Sequence, residues 1–287
     1  MNAFAAGRSP FLVFENSGFF VLYKPGSMHS ARPGRNRNPS AIAGAVTATG
    51  SDSSGLATNL LDWIDAAVPR LADASMPGGE YGMLSRLDFD TSGLILFAKD
   101  PGLFSLLRGR ARSPEYGKPQ GRASGEALLD KRYRLLAFSG GVGLPGSRPL
   151  LLPAPGTLPF TVSSRFRSYG IRGSKVACIA QGQEGFEKKP FYPELCHTRF
   201  EASVMPSVVE ECSIPAGSFC LEATLQAGFR HQIRAHCAWL GFPILGDLLY
   251  GGAPAGRLCL EACALDIRLP GSSILHIDLY EKEKPYP

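Results

Sequence analysis

The sequence predicts an α+β protein built on a mostly antiparallel mixed sheet with flanking helices and loop insertions. Three observations carry this expectation. Short apolar stretches with strand spacing outnumber helical ones. They do not alternate with helices in strict β-α-β order, and no internal repeat imposes another architecture. The composition fits a globular chain: of 287 residues, 44% are hydrophobic and 19% charged, which excludes global disorder. A chain of this length can bury a core without covalent staples. The longest charge-free candidate for a membrane-spanning helix, residues 149–164, is broken by four prolines.

The elements follow in order. Residues 11–14 and 19–23 are short apolar strands around Glu15-Asn16-Ser17-Gly18, a turn signal. Residues 26–55 are rich in Gly, Ser, Ala, Pro and Arg without a period and read as a loop. Residues 58–68 form a helix, because Leu60, Leu61, Ile64, Ala67 and Val68 share a face and Pro69 ends it. Residues 94–98 are an apolar strand; Asp100-Pro101 then supplies an N-cap and first-turn proline for a helix near 101–110. Residues 112–126 are a second Gly/Ser/Pro-rich loop. Strands are predicted at 132–138, 160–166, 176–180, 196–204, 219–225, 258–269 and 274–279. A helix at 231–240 stops at Gly241, with Pro243 beyond it.

Charge and cysteine narrow the function classes. Thirty Lys+Arg against 25 Asp+Glu leave +5. The excess is uneven: Lys131 to Gln183 holds eight basic residues and no acid. Such a stretch reads either as a polyanion-facing surface or as scattered solvated arginines. All seven cysteines lie between Cys178 and Cys263, without a CxxC. An odd count and no basic start followed by an apolar segment predict reduced thiols and a cytoplasmic location. Cys259 and Cys263 alone do not make a zinc site.

Two strings carry chemistry. The first runs Leu84-Ser85-Arg86-Leu87-Asp88-Phe89-Asp90-Thr91-Ser92-Gly93 into a buried strand. Loops at strand ends present reactive groups on a rigid frame, and Arg86 near Asp88 could keep a carboxylate ionised as a nucleophile needs. A plain β-turn is the alternative. The second runs Ala227-Gly228-Phe229-Arg230-His231-Gln232-Ile233-Arg234-Ala235-His236, followed by Gly241-Phe242-Pro243-Ile244-Leu245-Gly246-Asp247 and Tyr250-Gly251. His231 and His236, five apart, are a poor chelating pair on either a helix or a strand. Arg230 and Arg234 share a helix face and can grip an anion, or else form a structural ion-pair helix.

The first string resembles the H-R-L-D-x-x-T-S-G-L motif of the RluA/RsuA-type pseudouridine synthases. The second resembles their G-R-x-H-Q-I-R-x-H…G-x-P-I-x-G-D-x-x-Y-G motif. Phe19–Pro25 (FFVLYKP) is similar to that family's early strand, and Lys131-Arg132-Tyr133 to its K-x-Y segment. The four matches stand in family order across residues 11 to about 265. Departures are Ser85 in place of the usual His, Phe229 where the family carries Gly, and Glu261 for a His in a late R-L-x-L-H-A segment. The linker from Asp88 to Tyr133 is longer than usual, and residues 140–193 read as a further insertion.

The resemblance implies one pseudouridine synthase catalytic domain over residues 1–287, on the RluA-like branch without a separate N-terminal RNA-binding domain. It implies isomerisation of a specific uridine in structured RNA, ribosomal or transfer, with no cofactor and no metal. Asp88 would be the essential carboxylate, acting by attack or by assisting elimination. Tyr133 would stack on the uracil, and Arg234 or Arg230 would keep Asp88 charged. Arg86 is the candidate to fill the space a flipped base vacates. Thr91, Ser92, His231 and Gln232, with Arg86 and Arg230, complete the expected RNA and uridine contacts. RNA is the expected partner, with no membrane and a monomer as the default. An inactive RNA-binding protein on the same fold, or a carboxylate glycosidase using Asp88 and Asp90, are the competing classes.

Overall fold

The computed structural model describes residues 8–32, 59–77, 79–110, 128–139, 158–184, 186, 192–204 and 214–281. The expected loop at 112–126 and most of that at 26–55 lie outside these residues, as does the first part of the 140–193 insertion. The chain divides into two compact units, Gly7–Arg108 and Gly109–Pro287 with Met1–Ala6.

The Gly7–Arg108 unit holds three antiparallel strands, β1 (Phe11–Glu15), β2 (Phe19–Lys24) and β3 (Ser92–Ala98), in the order β1-β2-β3. Asn16 sets the β1–β2 turn: its Oδ1 accepts from the N–H of Gly18 and of Phe19, each at 2.9 Å. Every residue of β2 and β3 is buried, and Phe20 stacks on Phe97 at 4.7 Å. Apolar runs without alternation are what a strand covered on both faces requires. Helix α1 (Leu60–Ala67) buries Leu60, Leu61 and Ile64. It begins after Asn59, whose Oδ1 caps the N–H of Asp62 at 3.0 Å; Thr58 lies outside the described residues. Helix α2 (Pro101–Arg110) starts as expected, with Asp100 Oδ1 accepting from Leu103 N at 2.8 Å.

The other unit holds β4 (Leu128–Phe138), β5 (Phe160–Tyr169), β6 (Lys175–Ile179), β7 (Cys196–Ala202), β8 (Ser218–Leu225), β9 (Leu260–Arg268), β10 (Ile274–Asp278) and helix α3 (Gln232–Trp239). The order is β9-β4-β8-β7-β5-β6, with β10 paired to β9, and each of these ladders is antiparallel. The α+β expectation is borne out. Ala235 and Ala238 of α3 pack with Phe166, Val176 and Tyr250 in one buried cluster. His236 is fully buried there, between Ser164 Oγ at 2.9 Å and Thr198 Oγ1 at 2.8 Å. It is a satisfied core histidine.

The acid-free stretch from Lys131 to Gln183 is not acid-free in space. Arg132 on β4 meets Glu222 of β8 at 3.5 Å and Asp266 of β9 at 3.4 Å. Antiparallel pairing brings those carboxylates from far along the chain. The six described cysteines are free. Burial pushes the Cys196 and Cys263 thiols up to about 12, so both stay protonated and unreactive.

Candidate active site

The Asp88 turn is fixed from below by the end of β2. Lys24 is fully buried, and its Nζ donates to the carbonyls of Pro25 and Met28, each at 2.8 Å, and of Phe89 at 3.2 Å. Met28 N also donates to the Phe89 carbonyl. On the other side of Asp88, Ser30 Oγ donates to Leu87 O at 2.7 Å and accepts from Leu87 N at 3.0 Å. Gly26 permits this approach: a Cβ there would sit 3.0 Å from the Asp90 carbonyl oxygen. Thr91 N then donates to Asp88 O at 3.2 Å and closes the turn into β3. Both neighbours of Asp88 are therefore pinned by buried groups, while Asp88 itself is half-buried and Phe89 and Asp90 are exposed. A reactive side chain on a rigid frame is the arrangement catalysis needs.

The remaining residues of this turn divide. Arg86 is exposed and pairs with Glu80. Thr91 and Ser92 are buried, at 2% and 0% exposure. The Thr91 hydroxyl is sealed and, among the described residues, has no hydrogen-bond partner. An unsatisfied buried hydroxyl costs about 1–3 kcal/mol. Thr91→Val keeps the shape and removes the orphan group, so its melting temperature is expected to equal or exceed that of the parent. A clear drop in a thermal melt would mean that the hydroxyl holds the fold.

In the larger unit, Tyr133 is buried on β4 beside a β-bulge, where the register against β9 shifts between Arg132 and Tyr133. Bulges re-aim side chains next to sites. Helix α3 follows a left-handed residue, His231 (φ 56°), one residue later than expected. The Gln232 side chain secures that entry: its Oε1 accepts from Phe229 N at 2.9 Å and its Nε2 donates to His197 O at 2.8 Å. Arg234 is buried and bidentate to Asp247, Nε to Oδ2 at 2.8 Å and Nη2 to Oδ1 at 2.7 Å. Gly246 makes room for that Asp at φ 79°, where a Cβ would lie 1.8 Å from the Arg257 carbonyl oxygen. Arg230 instead donates to the carbonyls of Gly173 and Lys175, around the β5–β6 turn.

His231 meets Tyr250 Oη through Nδ1 at 3.0 Å. Burial, then Arg234 and Arg230, pull its pKa down to about 3; burial, then His197, does the same to His236. Both are neutral at pH 7 in the fold and regain the ordinary value of 6.5 on unfolding. The unfolded chain thus binds more protons below 6.5, so this stabilisation is full above 6.5 and is lost progressively as pH falls toward 3. The urea midpoint is expected to fall from about pH 7 to about pH 5. A flat profile across that window would contradict the neutral, buried state of these histidines.

Among the described residues no group of three or more His, Cys, Asp or Glu is placed to hold a metal, and no helix is long and apolar enough to cross a membrane. No family model matches the chain. It is 30% identical over 132 residues to the RNA pseudouridylate synthase domain-containing protein 1 of Bos taurus, covering 38% of this chain and 39% of that protein. It is 27% identical over 180 residues to the mitochondrial RNA pseudouridine synthase 3 of Oryza sativa subsp. japonica, covering 61% and 32%. The chain thus spans less than half the length of these relatives. The solved human RNA Pseudouridylate Synthase Domain Containing 1 superposes with a TM-score of 0.54 at 17% identity, over 94% of this chain and 82% of that one. The chain has the pseudouridine synthase fold. The resemblance first read from four motifs is borne out by relatives that carry the family's name.

On this pseudouridine synthase fold, three residues that matter to the local frame were not singled out from sequence. Lys24 is visible only as the end of a strand, and its three carbonyl partners come from the stretch after β2 and the turn before β3. Ser30 lies in a stretch with no period. Asp247 stands inside a quoted motif, and its signal is the preceding glycine, which marks a backbone that must pass close to another.

Proposed function

We propose that the chain is an RNA pseudouridine synthase that detaches uracil from C1′ of a specific uridine, turns it and rejoins it through C5. The observation that supports this best is the Asp88 turn: Lys24 and Ser30 hold its flanks, and the half-buried carboxylate is left on a fixed backbone. Asp88 is the reacting carboxylate. Tyr133 stacks on the uracil. Arg234, oriented by Asp247, is proposed as the functional cation of its own unit; Arg230, engaged by two backbone carbonyls, is not assigned that role. His231 is proposed to line the uridine, while the fully buried Ser92 serves β3 and Gln232 serves α3. The reaction needs no cofactor or metal. The chain acts as one catalytic domain and as a monomer on ribosomal or transfer RNA, in the reducing cytoplasm to which its free thiols are suited.

The test is nucleoside composition. RNA incubated with the protein and digested to nucleosides is expected to lose uridine and gain an equal amount of an isomer of the same mass and different retention. Unchanged composition across ribosomal and transfer RNA would overturn the reading.

Arg86 is proposed to leave Glu80 and fill the space vacated by the flipped base. Flipping costs a few kcal/mol and least for unpaired bases. Arg86→Ala is therefore expected to slow modification of a structured RNA about tenfold more than of a short unstructured strand. Equal losses in single-turnover assays would remove Arg86 from flipping.

A further inference from the structure

Lysine is almost never buried without a partner, yet Lys131 on β4 is 8% exposed. Among the described residues no hydrogen bond or ion pair reaches its Nζ. Its flanks are apolar: the register sets it between Leu225 of β8 and Leu265 of β9, both buried. The carboxylates nearby serve the other side of the sheet. Arg132, the next residue, points there and takes Glu222 and Asp266. Burial pulls the Lys131 pKa down to about 8, with no acid among the described residues to steady the ammonium, and at neutral pH it is still mostly charged.

Two features place this cation. It shares a side of β4 with Tyr133, two residues on, since the pairing with β8 runs without a break from Lys131 to Tyr133. Its Nζ also lies 3.7 Å from where a Cβ would stand on Gly228, at the approach to α3. A side chain at 228 would crowd the ammonium; glycine leaves the backbone low beside it. Among the described residues, this desolvated positive charge between the K-x-Y and G-F-R-H-Q-I-R segments is uncompensated. A charge in such a setting is costly to the fold, and an incoming anion would relieve that cost.

We propose that Lys131 receives an anionic oxygen of the target nucleotide beside Tyr133. The inference rests on the chain acting on uridine in RNA. Two sources share this chemistry: a backbone phosphate, and the uracil anion that forms when the glycosidic bond breaks. The first binds equally in ground and transition states and acts on affinity; the second appears only during reaction and acts on rate.

The test compares the parent with Lys131→Met by melting temperature, RNA affinity against salt, and single-turnover rate at saturating RNA. The methionine variant is expected to melt at or above the parent, because it removes an unpaired buried charge. It is also expected to lose about tenfold or more in affinity or in rate. Lost affinity with a salt slope shallower by about 0.7–0.9 identifies a phosphate; lost rate with unchanged affinity identifies the uracil anion. A variant that melts well below the parent, or one that keeps both affinity and rate, overturns the proposal. Should the parent bind RNA but form no pseudouridine, the catalytic reading fails, and the affinity measurement still decides Lys131 as a phosphate contact. A parent that does not bind RNA overturns both.

Discussion

Asp88→Asn is expected to lower the single-turnover rate about a thousandfold or more, as loss of a nucleophile does elsewhere. The amide has the size of the carboxylate and no negative charge, so it can neither attack a carbon nor assist an elimination. The fold should tolerate the change, because the amide keeps the shape of the side chain. What holds this turn is backbone on either side: Ser30 on Leu87, Lys24 on Phe89, and the Thr91 N–H on the Asp88 carbonyl. Melting temperature is therefore expected to stay within a few degrees, and RNA affinity within a few-fold. Turnover within tenfold of the parent would remove Asp88 from the chemistry.

The second large effect is on stability. Arg234 and Asp247 are 6% and 0% exposed and joined by two hydrogen bonds. Asp247 Oδ1 also accepts from Tyr250 N at 3.3 Å, so one carboxylate ties α3 to the 3-10 turn at Leu248–Tyr250. Asp247→Ala takes both carboxylate hydrogen bonds from a buried guanidinium. Breaking one side of a buried ion pair costs about 3–5 kcal/mol. Urea denaturation is expected to show that loss. The double variant Asp247→Leu with Arg234→Met, which removes both charges, should recover much of it while remaining inactive. Full stability in Asp247→Ala would mean that the pair contributes nothing to the fold.

Much of the frame was legible because it depends on local patterning. The Asn16 turn, the stop of α1 before Pro69, the Asp100 cap and the strand edges of β5 to β10 all follow from residue types within a few positions of one another. What was not legible depends on long-range pairing. The basic run at Lys131 gave no sign of Glu222 and Asp266, which arrive through the ladders of β8 and β9. The choice between Arg230 and Arg234 was open because both lie on one helical face in sequence. In the fold His231 is left-handed, which parts the two: Arg230 reaches the β5–β6 turn and Arg234 reaches Asp247. Gln232 matched the expected contact set by motif, but its amide is spent on Phe229, His197 and Thr198. Lys131 lies within the K-x-Y segment, where its residue type gives no signal and only its burial sets it apart.

The central claim is that the chain replaces the N1 glycosidic bond of uridine by one through C5, and that step has a direct readout. Joining through C5 expels the hydrogen there. RNA carrying tritium at uridine C5 is expected to release label to water with the parent protein, up to the number of target sites, and none with Asp88→Asn. Retention of all label by RNA that the folded parent demonstrably binds would contradict the account.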